Sequence, residues 1–154
     1  MATQKILVTY NFTSYDQKAL DFVIRTFVHS KDVEITLFNV YTPVPKIEMR
    51  ESPIMAKFQK NLDYLSQKVK EQEAGLKEAR QYLMQNGFAE NQISYIYKPR
   101  KKDIIGEIVD VATKDHFNIV VMNRKPGKVT RFLTGSVFNK VVSALKDKTV
   151  CIVS

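Results

Sequence analysis

The most informative segment of the chain is IVVMNRKPGKVTRFLTGSV, residues 119–137. It begins with a continuous apolar run typical of a buried strand, passes through a basic turn containing Pro126 and Gly127, and ends in Gly135-Ser136 at the start of an amphipathic segment. A strand that turns into a helix in this way directs backbone N–H groups and the helix N-terminus toward one point, which favours an anion such as phosphate. An ordinary βα loop with a solvated basic surface fits the same residues, because Gly-Ser is also common at helix starts.

Outward from this stretch, strand patterns alternate with helix patterns along the whole chain. Apolar runs rich in β-formers predict strands over 5–10, 33–40, 93–97, 118–122 and 149–153. Apolar residues at helical spacing predict helices over 14–28, 54–86, 103–112 and 136–145. Continuous apolar strands joined by helices predict an α/β fold with a five-stranded parallel sheet, doubly wound, with helices on both faces. With 154 residues and no linker or repeat, we expect one domain over 1–154.

Ligands of such sheets bind beyond the carboxyl ends of the strands, where the strand order reverses. This rule selects Tyr10–Thr13, Val40–Thr42 and the turn over 123–136 as the candidate site.

The net charge of +8 is concentrated in the last third of the chain. Residues 1–97 carry 12 Lys and Arg against 11 Asp and Glu, whereas residues 98–154 carry 12 against 5, an excess of +7. Such a bias suggests an anionic partner there. We expect a cytoplasmic protein with no membrane partner. The hydrophobic content is 44%, and the single cysteine, Cys151, lies in an apolar run. The sequence shows neither a signal-peptide pattern nor an apolar run of membrane length.

The three selected segments together resemble the universal stress protein family over essentially the whole chain. Family members open with a strand like Lys5–Val8, then an acidic residue, a Ser or Thr, and a helix with paired Ala-Leu, for which this chain has Asn11, Thr13 or Ser14, and Ala19-Leu20. Their second strand ends in Val before an irregular stretch with prolines, as in 40–45, and their fourth strand runs into a glycine-containing phosphate loop that ends in Gly-Ser or Gly-Thr, as at Gly135-Ser136. The closing strand over 150–153 also fits.

The departures from the family pattern fall in the phosphate loop, which is therefore a degenerate ATP-binding loop. Asn123 stands where the nucleotide-binding members have the first glycine, a mild loss because Asn tolerates the left-handed conformation best among the other residues. Pro126 falls at the second glycine, with Gly127 just after it, and removes an N–H that could donate to phosphate. The acidic residue after the first strand is Asn11, which carries no charge.

The resemblance implies an adenine nucleotide alpha hydrolase-like fold and an adenine-nucleotide-binding stress-response regulator. ATP or another adenine nucleotide is the expected ligand, with or without Mg²⁺. Residues expected to line its base, ribose and phosphates are Tyr10, Asn11, Phe12, Thr13, Val40, Asn123, Arg124, Gly127, Lys128, Arg131, Gly135, Ser136 and Val137. Lys125 adds a fourth cation to the turn. The alternative is a dimeric interaction module of the same family that has lost nucleotide binding.

Few residues could form a catalytic group, and we expect that the protein is not an enzyme. His29 and His116 do not pair with a nucleophile, and no Asp or Glu occurs between Asp115 and Asp147 to hold Mg²⁺ beside the basic turn. The basic run over 98–102 either extends the anion site or is a solvated loop, and we favour the solvated loop.

Partners follow from the same features. Tyr95 and Tyr97 lie on one face of a strand that we expect at the centre of the sheet. We expect both rings to pack under a helix rather than to stack on bases, which gives little support for nucleic-acid binding. The final strand over Val150–Val153 is expected at a sheet edge, and in the family it pairs across a two-fold axis, which implies a homodimer. An unknown regulatory protein partner is also expected.

Overall fold

The fold was established from a computed structural model, which describes residues 3–45, 53–124 and 134–154. The strands are β1 (Gln4–Thr9), β2 (Val33–Tyr41), β3 (Ile93–Pro99), β4 (Ile119–Asn123) and β5 (Thr149–Val153). The helices are α1 (Asp16–Phe27), α2 (Pro53–Gln85), α3 (Ile104–Lys114) and α4 (Thr134–Ala144), with a short 3-10 turn over Glu90–Gln92.

The five strands form one parallel sheet in the order β3-β2-β1-β4-β5. The chain first builds outward from β1 to β3 and then crosses to the other side of β1 for β4 and β5, so the strand order reverses between β1 and β4. This confirms the predicted doubly wound parallel sheet. β5 lies at one edge of the sheet, as predicted.

The strands are buried because helices cover both faces of the sheet. Alternate residues of β1 point to opposite faces: Ile6 and Val8 pack with α1 and α2, whereas Leu7 packs with α3 and α4. All three of these side chains are fully buried, which explains the continuous apolar run in the sequence.

The helix ends follow their local chemistry. The Asp103 side chain accepts a hydrogen bond from the Gly106 N–H at 2.8 Å and so caps α3, as the sequence predicts. α2 ends one residue before Asn86-Gly87, where Gly87 has a φ of +114°.

The prediction that Tyr95 and Tyr97 lie on a central strand is wrong, because β3 is an edge strand. Both side chains nevertheless pack under α2, as expected. The Tyr95 hydroxyl donates to Glu73 at 3.1 Å, and the Tyr97 hydroxyl donates to the Val69 carbonyl at 2.8 Å. No helix in the described part of the chain is both long and apolar enough to cross a membrane.

Candidate functional site

The carboxyl ends of β1, β2 and β4 meet at the point where the strand order reverses. They bring the loop after β1, the end of β2 and the end of β4 to one edge of the sheet. Tyr10–Thr13, Val40 and Asn123 therefore lie at the same edge, in the region that the topology rule selects.

A buried carboxylate, that of Asp16, connects two of these segments. Its Oδ1 accepts hydrogen bonds from the Asn11 backbone N–H at 2.9 Å and from the Asn123 Nδ2 at 2.8 Å. Its Oδ2 accepts from the Thr13 backbone N–H at 2.7 Å. Asp16 is 2% exposed and opens α1, where the helix N-terminus favours a negative charge. The loop after β1 and the end of β4 are thus held together by one side chain.

Asp16 is a residue that the sequence prediction missed. The sequence pattern predicts that the first helix starts at Ser14, and the predicted polar group after β1 is Asn11. The signal was an Asp in the first turn of a helix that follows a tight loop, a position where a carboxylate often accepts backbone N–H groups.

Asn123 does not take the role that the loop comparison predicted for it. It is the last residue of β4, paired in register with Val153 and 7% exposed, rather than a loop residue in the left-handed conformation. Its amide nitrogen donates to Asp16, and its Oδ1 accepts from the Asn11 Nδ2 at 3.5 Å. Among the described residues of this edge, Phe12 adopts the left-handed conformation, with a φ of +59°.

Tyr10 and Phe12 form an aromatic pair beneath α2. Their rings are 5.1 Å apart in an edge-to-face arrangement, and the Phe12 ring lies against Gly75, where an added Cβ would be 3.3 Å from the Phe12 Cε1. Burial, followed by the nearby charges of Asp16 and Glu78, raises the pKa of Tyr10. Tyr10 is half-buried among the apolar residues on the α1–α2 face, and it is not among the residues that line the cleft described next.

A cleft of about 560 Å³ opens at this edge between the end of β2 and the middle of α2. Its described lining consists of Asn11, Phe12, Asn39, Val40, Tyr41, Thr42, Pro43, Val44, Pro45, Leu65, Lys68, Val69 and Gln72. A smaller hollow of about 30 Å³ on the α3 side shares Asn11, Asn39 and Val40 with it. Volumes of several hundred Å³ with mostly apolar walls and a few polar groups are typical of small-molecule sites.

The walls of the cleft are positioned by polar contacts. The Asn39 Nδ2 donates to the Tyr10 carbonyl at 2.7 Å and fixes the loop after β1 against β2. The rings of Tyr41 and Tyr97 are 4.6 Å apart, and burial, with a contribution from Tyr41, raises the pKa of Tyr97 to about 12. Asn39 and Lys68 are lining residues that the sequence did not indicate. Asn39 lies on β2 one residue before the selected segment, and only the fold brings α2, with Lys68, beside β2.

The remaining predicted site residues are placed as follows. Thr13 is exposed, and its hydroxyl accepts from the Tyr15 N–H at 3.3 Å. Arg124 is exposed directly after β4. Gly135, Ser136 and Val137 lie in the first turns of α4. Lys125, Pro126, Gly127, Lys128 and Arg131 lie outside the described residues.

The basic run over 98–102, for which the sequence favoured a solvated loop, is hydrogen-bonded to α3. The Glu107 carboxylate, 5% exposed, accepts hydrogen bonds from the backbone N–H groups of Lys101 at 2.8 Å and Lys102 at 3.0 Å. Its Oε2 lies 3.9 Å from the Lys98 Nζ, and Lys102 pairs with Asp110. The loop is therefore fastened to α3, although its lysine side chains remain exposed.

Within the described residues, no group of three or more His, Cys, Asp and Glu side chains could hold a metal ion. Both histidines, His29 and His116, are exposed.

The fold and the cleft define a class of doubly wound α/β protein with a candidate ligand site at the switch point of the sheet. The sequence profile described as the universal stress protein family matches residues 2–152, and the chain belongs to this family. A search among curated proteins found no match.

Solved structures with the same fold include several universal stress proteins. The chain is similar to the hypothetical protein MJ0577, with a TM-score of 0.67, 21% identity, and coverage of 99% of this chain and 96% of that chain. It is also similar to a universal stress protein in complex with cAMP, with a TM-score of 0.61, 17% identity, and coverage of 100% and 98%. A universal stress protein from Archaeoglobus fulgidus in complex with dAMP gives a TM-score of 0.59, 17% identity, and full coverage of both chains.

Proposed function

We propose that this protein binds an adenine nucleotide at the carboxyl edge of the sheet and acts as a cytoplasmic, non-catalytic regulator of a stress response. The observation that carries the proposal is the cleft of about 560 Å³, whose lining joins apolar Val40 to the amide of Asn11 at the switch point. Neighbouring structures of the family hold dAMP and cAMP, which are ligands of the same chemical class.

In this proposal each part of the nucleotide meets a different part of the edge. Val40 packs against the base, and the Asn11 side chain hydrogen-bonds the base or the ribose. The phosphates lie toward the start of α4, where the first-turn N–H groups of Gly135 and Ser136 have no partner within the helix and Val137 follows in the next turn. The +7 excess over 98–154 favours an anion there.

The second candidate is a family member that works as a dimeric interaction module without a nucleotide. One observation favours it: Asp16 already accepts the N–H groups of Asn11 and Thr13, so these two groups are not free to donate to a ligand. Pro126, in the sequence that follows β4, has no N–H to offer a ligand.

Calorimetric titration with ATP, ADP, AMP and GTP, with and without Mg²⁺, separates the two candidates. We expect micromolar binding of an adenine nucleotide, and weaker or absent binding of GTP. Silence up to millimolar adenine nucleotide would favour the interaction module. Measurement of phosphate release in the same samples tests the expectation that the protein is not an enzyme.

Variants locate the bound nucleotide. Asn11→Ala should weaken binding about tenfold, the equivalent of one lost hydrogen bond. Ser136→Ala combined with Gly135→Val should abolish binding, whereas Ser143→Ala, an exposed serine further along the same helix, should leave affinity unchanged. Unchanged affinity in the double variant would place the phosphates elsewhere.

A further inference from the structure

The α2 wall of the cleft and helix α4 lie on opposite faces of the sheet. Val40 packs with the buried residues of α3 and α4, and Ile108 of α3 lines the small hollow beside it. Phe12 instead packs with the buried residues of α1 and α2. A nucleotide that reaches from Val40 to the start of α4 therefore lies toward the α3 side of the edge. The end of the cleft against α2 is left for another chemical group.

This end of the cleft has apolar and aromatic walls that are fixed in place. The walls include Tyr41 at the end of β2, and Leu65 and Val69 of α2. The Tyr41 ring lies 4.6 Å from the ring of Tyr97, whose hydroxyl donates to the Val69 carbonyl at 2.8 Å. The end of β2 is thereby held against α2. Rigid walls of this kind suit the apolar body of a small molecule, and an aromatic ring in particular.

The polar groups of this end indicate the charge of the molecule. Lys68 is the one charged residue in the described lining of the cleft, and it forms no ion pair with another described residue. The Oε1 of Gln72 lies 3.3 Å from the Tyr97 hydroxyl, which leaves the Gln72 amide nitrogen to donate to a ligand. A cation and an N–H donor beside apolar walls favour one anionic group on an apolar body.

We propose that the α2 end of the cleft, formed by Tyr41, Leu65, Lys68, Val69 and Gln72, binds an aromatic carboxylic acid. The ring lies among the apolar walls, and the carboxylate meets Lys68 and the Gln72 amide. A carboxylate fits better than a phosphate, because Lys68 lies in the interior of α2, away from the helix N-terminus that phosphate sites use. The acid and the nucleotide use different ends of the edge, so the acid binds whether or not a nucleotide does.

The test is calorimetric titration of the intact protein with naphthylacetate and with naphthylethanol, which has the same rings and no charge. For the acid we expect a dissociation constant of about 100 μM, a usual affinity for a ligand of this size. The alcohol should bind about fivefold more weakly, because it lacks the charge that Lys68 meets. Absence of heat from the acid at about 5 mM, or equal affinities of acid and alcohol, would overturn the proposal.

Substitution of the lysine tests the recognition of charge. Lys68→Gln should weaken binding of naphthylacetate about fivefold and leave binding of naphthylethanol unchanged. Lys70→Gln removes an exposed lysine that does not line the cleft, and as the matched control it should change neither affinity. An unchanged affinity for the acid in Lys68→Gln would refute the assignment of the carboxylate to this lysine.

Substitution of a wall residue places the ring in the cleft. Leu65→Asp should weaken the acid roughly tenfold, because it puts a negative charge beside the bound carboxylate. Tyr64→Asp adds the same charge at the adjacent position, which is 69% exposed and outside the lining, and should change the affinity by less than about twofold. Circular dichroism melts should show both variants folded, since neither position is buried. Equal affinities of the two variants for the acid would overturn the placement.

Titration of the acid in the presence of AMP separates the acid from the nucleotide. An affinity for the acid that stays within about twofold at saturating AMP supports two binding positions. If AMP alone gives no heat while the acid binds, the proposed nucleotide function fails and the acid site stands. Displacement of the acid by AMP in direct competition would overturn the acid site, because both ligands would then occupy one position.

Discussion

At the scale of single residues, the candidate site depends on Asp16. Its carboxylate links the loop after β1 to the last residue of β4. The hydrogen bond between Asp16 and Asn123 joins residues that are 107 positions apart in the sequence. The family pattern places an acidic residue directly after the first strand, and this chain has Asn11 there. The structure supplies a carboxylate from the first turn of α1 instead, buried beneath the loop.

Asp16→Ala should lower the free energy of unfolding by about 3 kcal/mol, because it leaves the N–H groups of Asn11 and Thr13 and the Asn123 amide without their acceptor. Urea denaturation measures the change. Asp16→Asn, which keeps one acceptor oxygen, should lose less. Asp63→Ala, on the exposed face of α2, is the matched control and should be nearly neutral. A loss below about 0.5 kcal/mol for Asp16→Ala would contradict this role.

At this scale many residues of the carboxyl edge of the sheet could be predicted, but the hydrogen bonds between them could not. Tyr10, Asn11, Phe12, Val40 and Asn123 were selected because they lie at or just after the carboxyl ends of predicted strands, and they do lie at one edge of the sheet. The roles of Asn123 and Asp16 could not be predicted, since a hydrogen bond between residues far apart in sequence follows from the packing of α1 against β4. The burial of Tyr10 under α2 escaped prediction for the same reason.

At the scale of elements, α2 ends where the chain must turn back into the sheet. Gly87 adopts a φ of +114°, and a Cβ at this position would lie 2.8 Å from the Val28 Cγ2. The Phe88 N–H donates to the Leu83 carbonyl at 3.3 Å, which closes the end of the helix.

Gly87→Ala should therefore cost about 2 kcal/mol, from both the strained backbone and the contact with Val28. Thermal denaturation should show a decrease in Tm of roughly 4–8 °C. Asn86→Ala, next to it but without these constraints on its Cβ, serves for comparison and should have a smaller effect. Equal melting of Gly87→Ala and the unmodified protein would show that the turn accommodates a side chain.

The loop before α3 should make stability depend on pH. The hydrogen bond from the Lys101 backbone N–H, assisted by that from Lys102 and by the Lys98 ammonium, lowers the pKa of Glu107 despite its burial. A lowered pKa stabilises the folded state above the unfolded-state pKa, about 4.3, and this contribution is lost as the pH falls through the folded-state value.

Glu107→Gln tests this contribution, because both backbone hydrogen bonds end on one oxygen, Oε1, which Gln retains. Between about pH 5 and pH 3 the unmodified protein should lose more stability than the variant, as measured by urea denaturation at each pH. Identical pH dependence in the two proteins would rule out a lowered pKa at Glu107.

Elements themselves were predicted closely, because their signals are local. The helix predicted over 54–86 is observed at Pro53–Gln85, and the Asp103 cap is where the sequence placed it. The edge position of β3 was not predicted. A long helix covers the aromatic residues of this strand, and a covered strand has the same sequence pattern at an edge as in the centre of a sheet.

At the scale of the whole molecule, the sheet ends at β5, where Ile152 is 42% exposed. An apolar edge strand invites pairing with another strand, and we expect a homodimer through Val150–Val153. Light scattering should give twice the chain mass of 17.8 kDa. Ile152→Lys should give a monomer, whereas Phe58→Asp on α2 should leave the dimer intact. A monomer before any substitution would contradict the expected assembly.

The central claim, an adenine nucleotide at the carboxyl edge of the sheet, is tested most directly by amide NMR spectra recorded during a titration with AMP. We expect shifts concentrated in residues 9–13, 39–45, 122–124 and 134–137, with no change at the opposite edge around Asp32 and Asn118. No shifts at several millimolar AMP, or shifts confined to the opposite edge, would contradict it.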